Sequence, residues 1–126
     1  MSTATFTNAE LPAVDPEALV RLERFGGIKL LREMIALFRA IAPARLATVD
    51  SAMAERDVAA AENALHSLKS SAAQLGAMKL SRLSEQGEVL ARGAMVTEIT
   101  ELMEECRAEL VRVDAWLVAE RDARGA

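Results

Sequence analysis

The chain has 126 residues, a formal charge of −4 at pH 7, 52% hydrophobic and 27% charged residues, enough for one domain with its own core and too little for two. Aromatics make up only 3%, tyrosine is absent and 25 residues are alanine, a balance rich in helix formers and poor in strand formers. The longest apolar runs, such as residues 34–38, fall far short of the roughly 20 needed to cross a bilayer. Residues 1–10 have neither the basic nor the apolar segment of a secretory signal, so a cytoplasmic protein with no membrane contact is expected. The 15 basic residues are scattered and outnumbered by 19 acidic ones, which argues against nucleic acid as the ligand. Cys106 is the single cysteine; it can form no internal disulfide and reads as a buried, inert thiol.

In chain order, Asp15-Pro16-Glu17 is a helix start: a capping side chain, proline at the first helical position and an acid at the positive end of the dipole. The short helix that follows has Leu19, Leu22 and Phe25 as its apolar positions and ends at Gly26-Gly27. Ile28, Leu31, Ile35, Phe38, Ala42, Leu46, Val49 and Met53 keep steps of three and four, predicting a long core helix, with a kink or a break near Ile41-Ala42 because Pro43 lacks a backbone donor and crowds the preceding turn. Asp57 can cap a third helix carrying Val58, Ala61, Leu65, Leu68, Ala72 and Leu75, with Gly76 at its stop. A fourth carries Leu80, Leu83, Gly87 and Leu90 and ends near Arg92-Gly93; a fifth carries Ile99, Leu102, Cys106, Leu110, Val113 and Leu117. The acidic series Glu98, Glu101, Glu104, Glu105 and Glu109 reads as a solvated helix surface, with Arg107 and Arg112 forming ion pairs on it.

Amphipathic helices joined by short connections bury their stripes most simply in an all-α, antiparallel up-down four-helix bundle, here with the short N-terminal helix as a lid. The expected organisation is a flexible tail over residues 1–14, the bundle domain over 15–120 and a C-terminal tail over 121–126.

His66 is the only histidine. It lies one residue past the core position Leu65, about 100° around the helix from it, and so belongs on the flank toward solvent. Its face is shared with Ala59, Glu62, Asn63, Lys69, Ser70 and Ala73. A neutral imidazole nitrogen can attack an activated phosphoryl group, and Lys69, one of only three lysines, stands one turn away to meet the anionic oxygens. Ser70 and Ala73 are small enough to let another protein bring its own acceptor close. By itself, a surface histidine with a lysine at this spacing does not define a function.

The wider string, Leu65-His66-Ser67-Leu68-Lys69-Ser70-Ser71-Ala72-Ala73-Gln74-Leu75-Gly76-Ala77-Met78-Lys79-Leu80, resembles the signature of histidine-containing phosphotransfer (HPt) domains, roughly H-x-L-K-G-S-x-x-x-L-G, and the helix order agrees from about Asp15 to Ala119. The resemblance implies a two-component phosphorelay protein. His66 would accept a phosphoryl group from a receiver aspartate or a sensor or hybrid histidine kinase and pass it to the aspartate of a response-regulator receiver. Lys69 would support the phosphoryl charge, Ser70 and Ala73 would give clearance, and Gln74 and Glu88 would act as supporting polar groups, Glu88 by bonding the far imidazole nitrogen. Gly76 reads as a helix-end residue. Two positions depart from the family pattern: Ser70 where glycine is usual, and Gly87 where a leucine commonly precedes the acidic position, implying either a mobile helix near Glu88 or the close approach of another.

No glycine-rich phosphate loop or Walker lysine motif is present. The expectation is therefore a covalent carrier without kinase activity of its own, with no cofactor or metal of its own, Mg2+ being held by the partner receiver, and working as a monomer. The alternative is a non-phosphorylated pseudo-HPt bundle that regulates a kinase or receiver by binding. A phosphatase would need Gln74 or Glu88 to orient water, which nothing in the spacing requires. A metal-binding bundle would rest on carboxylates such as Glu62 and Glu85, more simply read as solvated helix faces.

Overall fold

The computed structural model describes residues 11–125. They form four helices: α1 (Pro16–Ala54), α2 (Val58–Gln74), α3 (Met78–Arg92) and α4 (Val96–Ala123). Each packs on its neighbours in order, α1 on α2, α2 on α3, α3 on α4, and α4 back on α1. The stripes close on one core that includes Leu19, Leu31, Ile35, Leu65, Leu68, Leu80, Leu83, Ile99, Met103 and Leu117. No helix among the described residues is long and apolar enough to cross a membrane.

The short N-terminal helix and the long one after it follow each other without a connecting loop, here taken together as α1, and they meet at a kink at Gly27, whose φ of 79° and ψ of 178° lie outside the helical region. Asp15 caps the start, its carboxylate accepting from the Glu17 amide at 3.1 Å. Gly27 is the one residue inside α1 with non-helical dihedrals, so the helix is not broken at Pro43. Pro43 is exposed, on the side where its ring meets solvent. Two other positions correct the sequence reading. Phe25 is 87% exposed: it precedes the Gly26-Gly27 break and turns away from the core that Leu19 enters. Glu109 is buried, not on the solvated surface of α4; it sits three residues after Cys106 and four before Val113, on the seam itself, and its carboxylate accepts from Arg112 Nε at 2.9 Å. Cys106 is buried, and desolvation, helped by the nearby Glu105, pushes its thiol up to about 12, so it holds its proton and stays unreactive.

The three connections between helices share one turn. In each, a residue with φ between 53° and 77° (Arg56, Gly76, Ala94) takes the left-handed conformation. The amide that follows it, of Asp57, Ala77 or Met95, donates back to the carbonyl of Ala52, Ala72 or Leu90 at 2.8–2.9 Å. This is the Schellman closure, which satisfies carbonyls left over at a helix end. Only one of the three residues is glycine, and the reason is tertiary. A Cβ on Gly76 would stand 2.2 Å from the Asp15 carbonyl oxygen, because the chain ahead of α1 crosses this turn. The Asp15 amide donates to Gly76 O at 2.8 Å and the Lys79 amide to Ala13 O at 3.0 Å, while Arg82 donates to Pro12 O.

Of the two stretches expected as tails, residues 1–10 and 126 lie outside the described residues. Residues 12, 13 and 15 make the contacts just given, and at the other end α4 continues to Ala123, Arg124 pairs with Glu23 and Glu120 and Arg32 donates to Gly125 O at 2.8 Å.

Candidate functional site

α2 and α3 set the site between them. Leu65, Leu68 and Ala72 fix the buried face of α2, which leaves His66 turned outward with its side chain 64% exposed. On α3, Leu83 and Gly87 are buried and Glu88 goes inward beside them. The close passage of the two helices depends on Gly87: a Cβ there would come 2.7 Å from Leu65 Cδ1 and 3.3 Å from Cδ2. Of the two consequences open from the sequence, the glycine therefore serves close approach. It lets the α3 backbone settle against the residue that precedes the histidine and brings Glu88 within reach of the ring.

Glu88 is the hub. Its side chain is only 6% exposed, yet three basic groups converge on it: His66 Nδ1 at 3.0 Å from Oε2, Lys69 Nζ at 3.0 Å from Oε1 and Arg92 Nη1 at 3.7 Å from Oε2. The Lys69 contact departs from hydrogen-bond alignment at Oε1, so it is foremost a pairing of charges. Burial pushes the Glu88 carboxyl up, but the contacts with Lys69 and His66 outweigh it and hold the group below its ordinary value of 4.5. Glu88 is therefore an anion near neutral pH and can only accept hydrogen bonds. It follows that Nδ1 of His66 carries the proton shared with Glu88, and that in the neutral ring Nε2 is the nitrogen with the free lone pair, directed away from the carboxylate.

Around this hub, Lys69 also lies 3.7 Å from Glu85 Oε2, and Arg92 donates to Glu62 Oε2 at 3.2 Å. Ser81 on α3 donates from its hydroxyl to the Lys69 carbonyl at 3.0 Å, tying the turn of α2 after His66 to α3. The cations are thus held by carboxylates in the unmodified protein, each with an exposed edge. Glu62 and Glu85, read from the sequence as solvated faces, are both partnered.

The structure brings together His66, Lys69 and Glu88. Ser70 and Ala73 are exposed on the His66 face of α2, one and two turns on. Gln74 is exposed, two turns beyond His66, and borders a small hollow between α1 and α2 with Leu37, Ile41 and Ser71; it is not part of the cluster. Gly76 is in the turn after α2 and works there as a helix-end residue. Arg92 was not foreseen. Its spacing of four after Glu88 is the signal that points to it, since an acid four residues ahead of a cation pairs on a helix.

The chain belongs to the Hpt domain family: the family's sequence profile matches residues 33–116, two thirds of the chain, including all the site residues just described. Members of this family carry phosphoryl groups in phosphorelays, as carriers and not as enzymes, between receiver domains and kinases. The fold is similar to that of the histidine-containing phosphotransfer protein B (HptB) from Pseudomonas aeruginosa PAO1, with a TM-score of 0.84, 22% sequence identity, 89% of this chain covered and 96% of that one. No curated protein sequence matches the chain significantly.

Proposed function

We propose that this protein is a phosphorelay carrier in which Nε2 of His66 takes a phosphoryl group from the aspartyl phosphate of a receiver domain, or from a histidine kinase, and passes it to the aspartate of a response-regulator receiver. The observation that carries the reading is the bond between His66 Nδ1 and the buried Glu88 carboxylate at 3.0 Å. As Nε2 attacks, the N–P bond forms while the O–P bond of the donor's acyl phosphate breaks, and the donor's carboxylate leaves. Nδ1 keeps its proton, so the phosphorylated ring carries a positive charge, and that charge faces the Glu88 anion. Transfer onward reverses the same steps.

The transferred group passes through a loose transition state whose demands are in-line geometry and neutralised equatorial oxygens. Lys69, one helical turn from His66, supplies a local cation that can exchange its hold on Glu85, 3.7 Å away, for a phosphoryl oxygen. Ser70 and Ala73 leave the approach unobstructed. The divalent cation and the acidic pocket belong to the receiver, and the carrier contributes the nucleophile and a surface to dock on. The reading puts the carrier in the cytoplasm with those partners.

The test is incubation with phosphorylated receiver domains or a hybrid kinase, Mg2+ and labelled phosphate, followed by acid and alkali treatment. Acid-labile, alkali-stable label that disappears in a folded His66→Gln variant is the expected result. Equal labelling of wild type and variant refutes the site, and no label on the folded wild-type protein from several donors favours a bundle that regulates its partner by binding alone.

A further inference from the structure

On the side of the bundle away from His66, α1 and α4 leave an open groove of about 500 Å³ between them. Its floor is apolar, made by Pro43, Leu46, Ala47 and Leu110, and beside it stands Val111, 72% exposed. The rim is charged in a particular order. At one end Arg39 of α1 meets Asp114 of α4 at 2.7 Å; at the other Asp50 of α1 meets Arg107 of α4 at 3.1 Å. Along each helix the sign therefore reverses, and across the groove it reverses again. All four side chains remain 39–51% exposed, so each can meet a further charge.

This alternating square has a geometric consequence. A closed dimer joins the same patch on both copies through a two-fold axis lying in the interface. If that axis runs along the helices, Arg39 faces the second copy's Asp114 and Asp50 faces its Arg107. If it runs across them, Arg39 faces Asp50 and Asp114 faces Arg107. In both arrangements every cation meets an anion. A wholly acidic or wholly basic partner would meet as much repulsion as attraction on the same rim. In place of the monomer expected from the sequence, we propose that the α1/α4 groove is a self-association surface, occupied by the α4 edge of a second copy with Val111 inserted between Pro43 and Leu110. Because α2 and α3 form the opposite side, both His66 sites stay open in the dimer.

The experiment is sedimentation velocity across a protein concentration series, run on the wild type and on two variants, Val111→Lys and Arg107→Glu, with circular dichroism to establish that each is folded. Val111→Lys buries an unpaired charge in the interface. Arg107→Glu sets acid against acid in either orientation of the axis. The expected result is a concentration-dependent dimer in the wild type, a loss of dimer at the same concentrations in both variants, and stronger self-association at lower salt. A wild-type protein that stays monomeric up to about 1 mM, the weak end of useful affinity, overturns the proposal and leaves the groove to a partner of different sequence. A dimer that survives either folded variant also overturns it. His66 labelling is expected to be unchanged in Val111→Lys, so failure here is separable from failure of the carrier reading.

Discussion

Glu88 joins the inside of the bundle to its reactive surface: its carboxylate is buried on α3, and 3.0 Å from it Nδ1 belongs to a ring that is largely in solvent on α2. A buried anion is tolerated here because cations from two helices meet it.

The pH dependence of stability follows from that arrangement. A carboxyl whose folded value is depressed contributes stability that is present above its unfolded value and is lost as pH falls through the folded one. Glu88→Gln keeps an acceptor for the imidazole N–H but removes the charge. The variant is expected to be less stable than the wild type by about 1–2 kcal/mol at pH 7. The difference should shrink as pH drops below the ordinary value of 4.5. Urea unfolding at pH 7, 4 and 3 checks this; a difference that grows toward acid would contradict it.

Lys69 and Arg92 both touch Glu88, but from different sides. Lys69 stands one turn after the nucleophile, while Arg92 is held by Glu62 at 3.2 Å. Lys69→Ala is expected to slow phosphoryl transfer about tenfold, equivalent to ~1.4 kcal/mol, with Arg92→Ala slowing it less. Single-turnover transfer from a phosphorylated receiver measures both, and an Arg92→Ala defect larger than that of Lys69→Ala would reverse the assignment.

Gly87→Ala places a methyl 2.7 Å from Leu65 Cδ1. Overpacking of this kind typically costs about 1–3 kcal/mol, against roughly 1 kcal/mol gained in helix propensity. The expected sum is a modest loss of stability, accompanied by slower labelling of His66 as α2 is pushed from Glu88. In a Leu65→Ala background the same substitution should be neutral or stabilising, since the colliding methyl is gone; additivity of the two changes in urea unfolding would exclude direct contact as the cause.

Two of the three helix turns, at Ala94 and Gly76, give opposite expectations for one dihedral. Ala94 has φ 53°, which costs an L-residue about 1–2 kcal/mol, so Ala94→Gly should raise stability by up to about 1 kcal/mol once the unfolded chain's added freedom is counted. Gly76→Ala meets both the positive φ and the Asp15 carbonyl, and should lower stability while freeing the segment ahead of α1. Thermal unfolding ranks the two, and hydrogen exchange at the Asp15 and Lys79 amides reports whether that segment has lifted.

Much of this was legible in the chain itself. The three-and-four spacing of Leu31, Ile35, Phe38, Ala42 and Leu46 on α1 and of Leu65, Leu68 and Ala72 on α2 sets which faces are buried, because a helix's period is a local property. The outward position of His66 follows from the same period, and the caps at Asp15 and Asp57 from side chains that accept from free amides of the first turn. The family resemblance of residues 65–80 pointed to Glu88 as the partner of the ring.

What required the tertiary structure were relationships between segments far apart in sequence. That Gly87 serves close helix approach depends on Leu65, 22 residues earlier, lying against it. That Gly76 must be glycine while Arg56 and Ala94 need not be depends on the segment around Asp15 crossing one turn and not the others. The burial of Glu109 was within reach of the periodicity, yet a charged residue reads as surface until its neighbours are known. The alternating charges of the α1/α4 groove exist only once two antiparallel helices stand side by side. Sequence periodicity states which face of a helix turns inward; which residue of another helix waits there is set by packing, and so was the site's electrostatics.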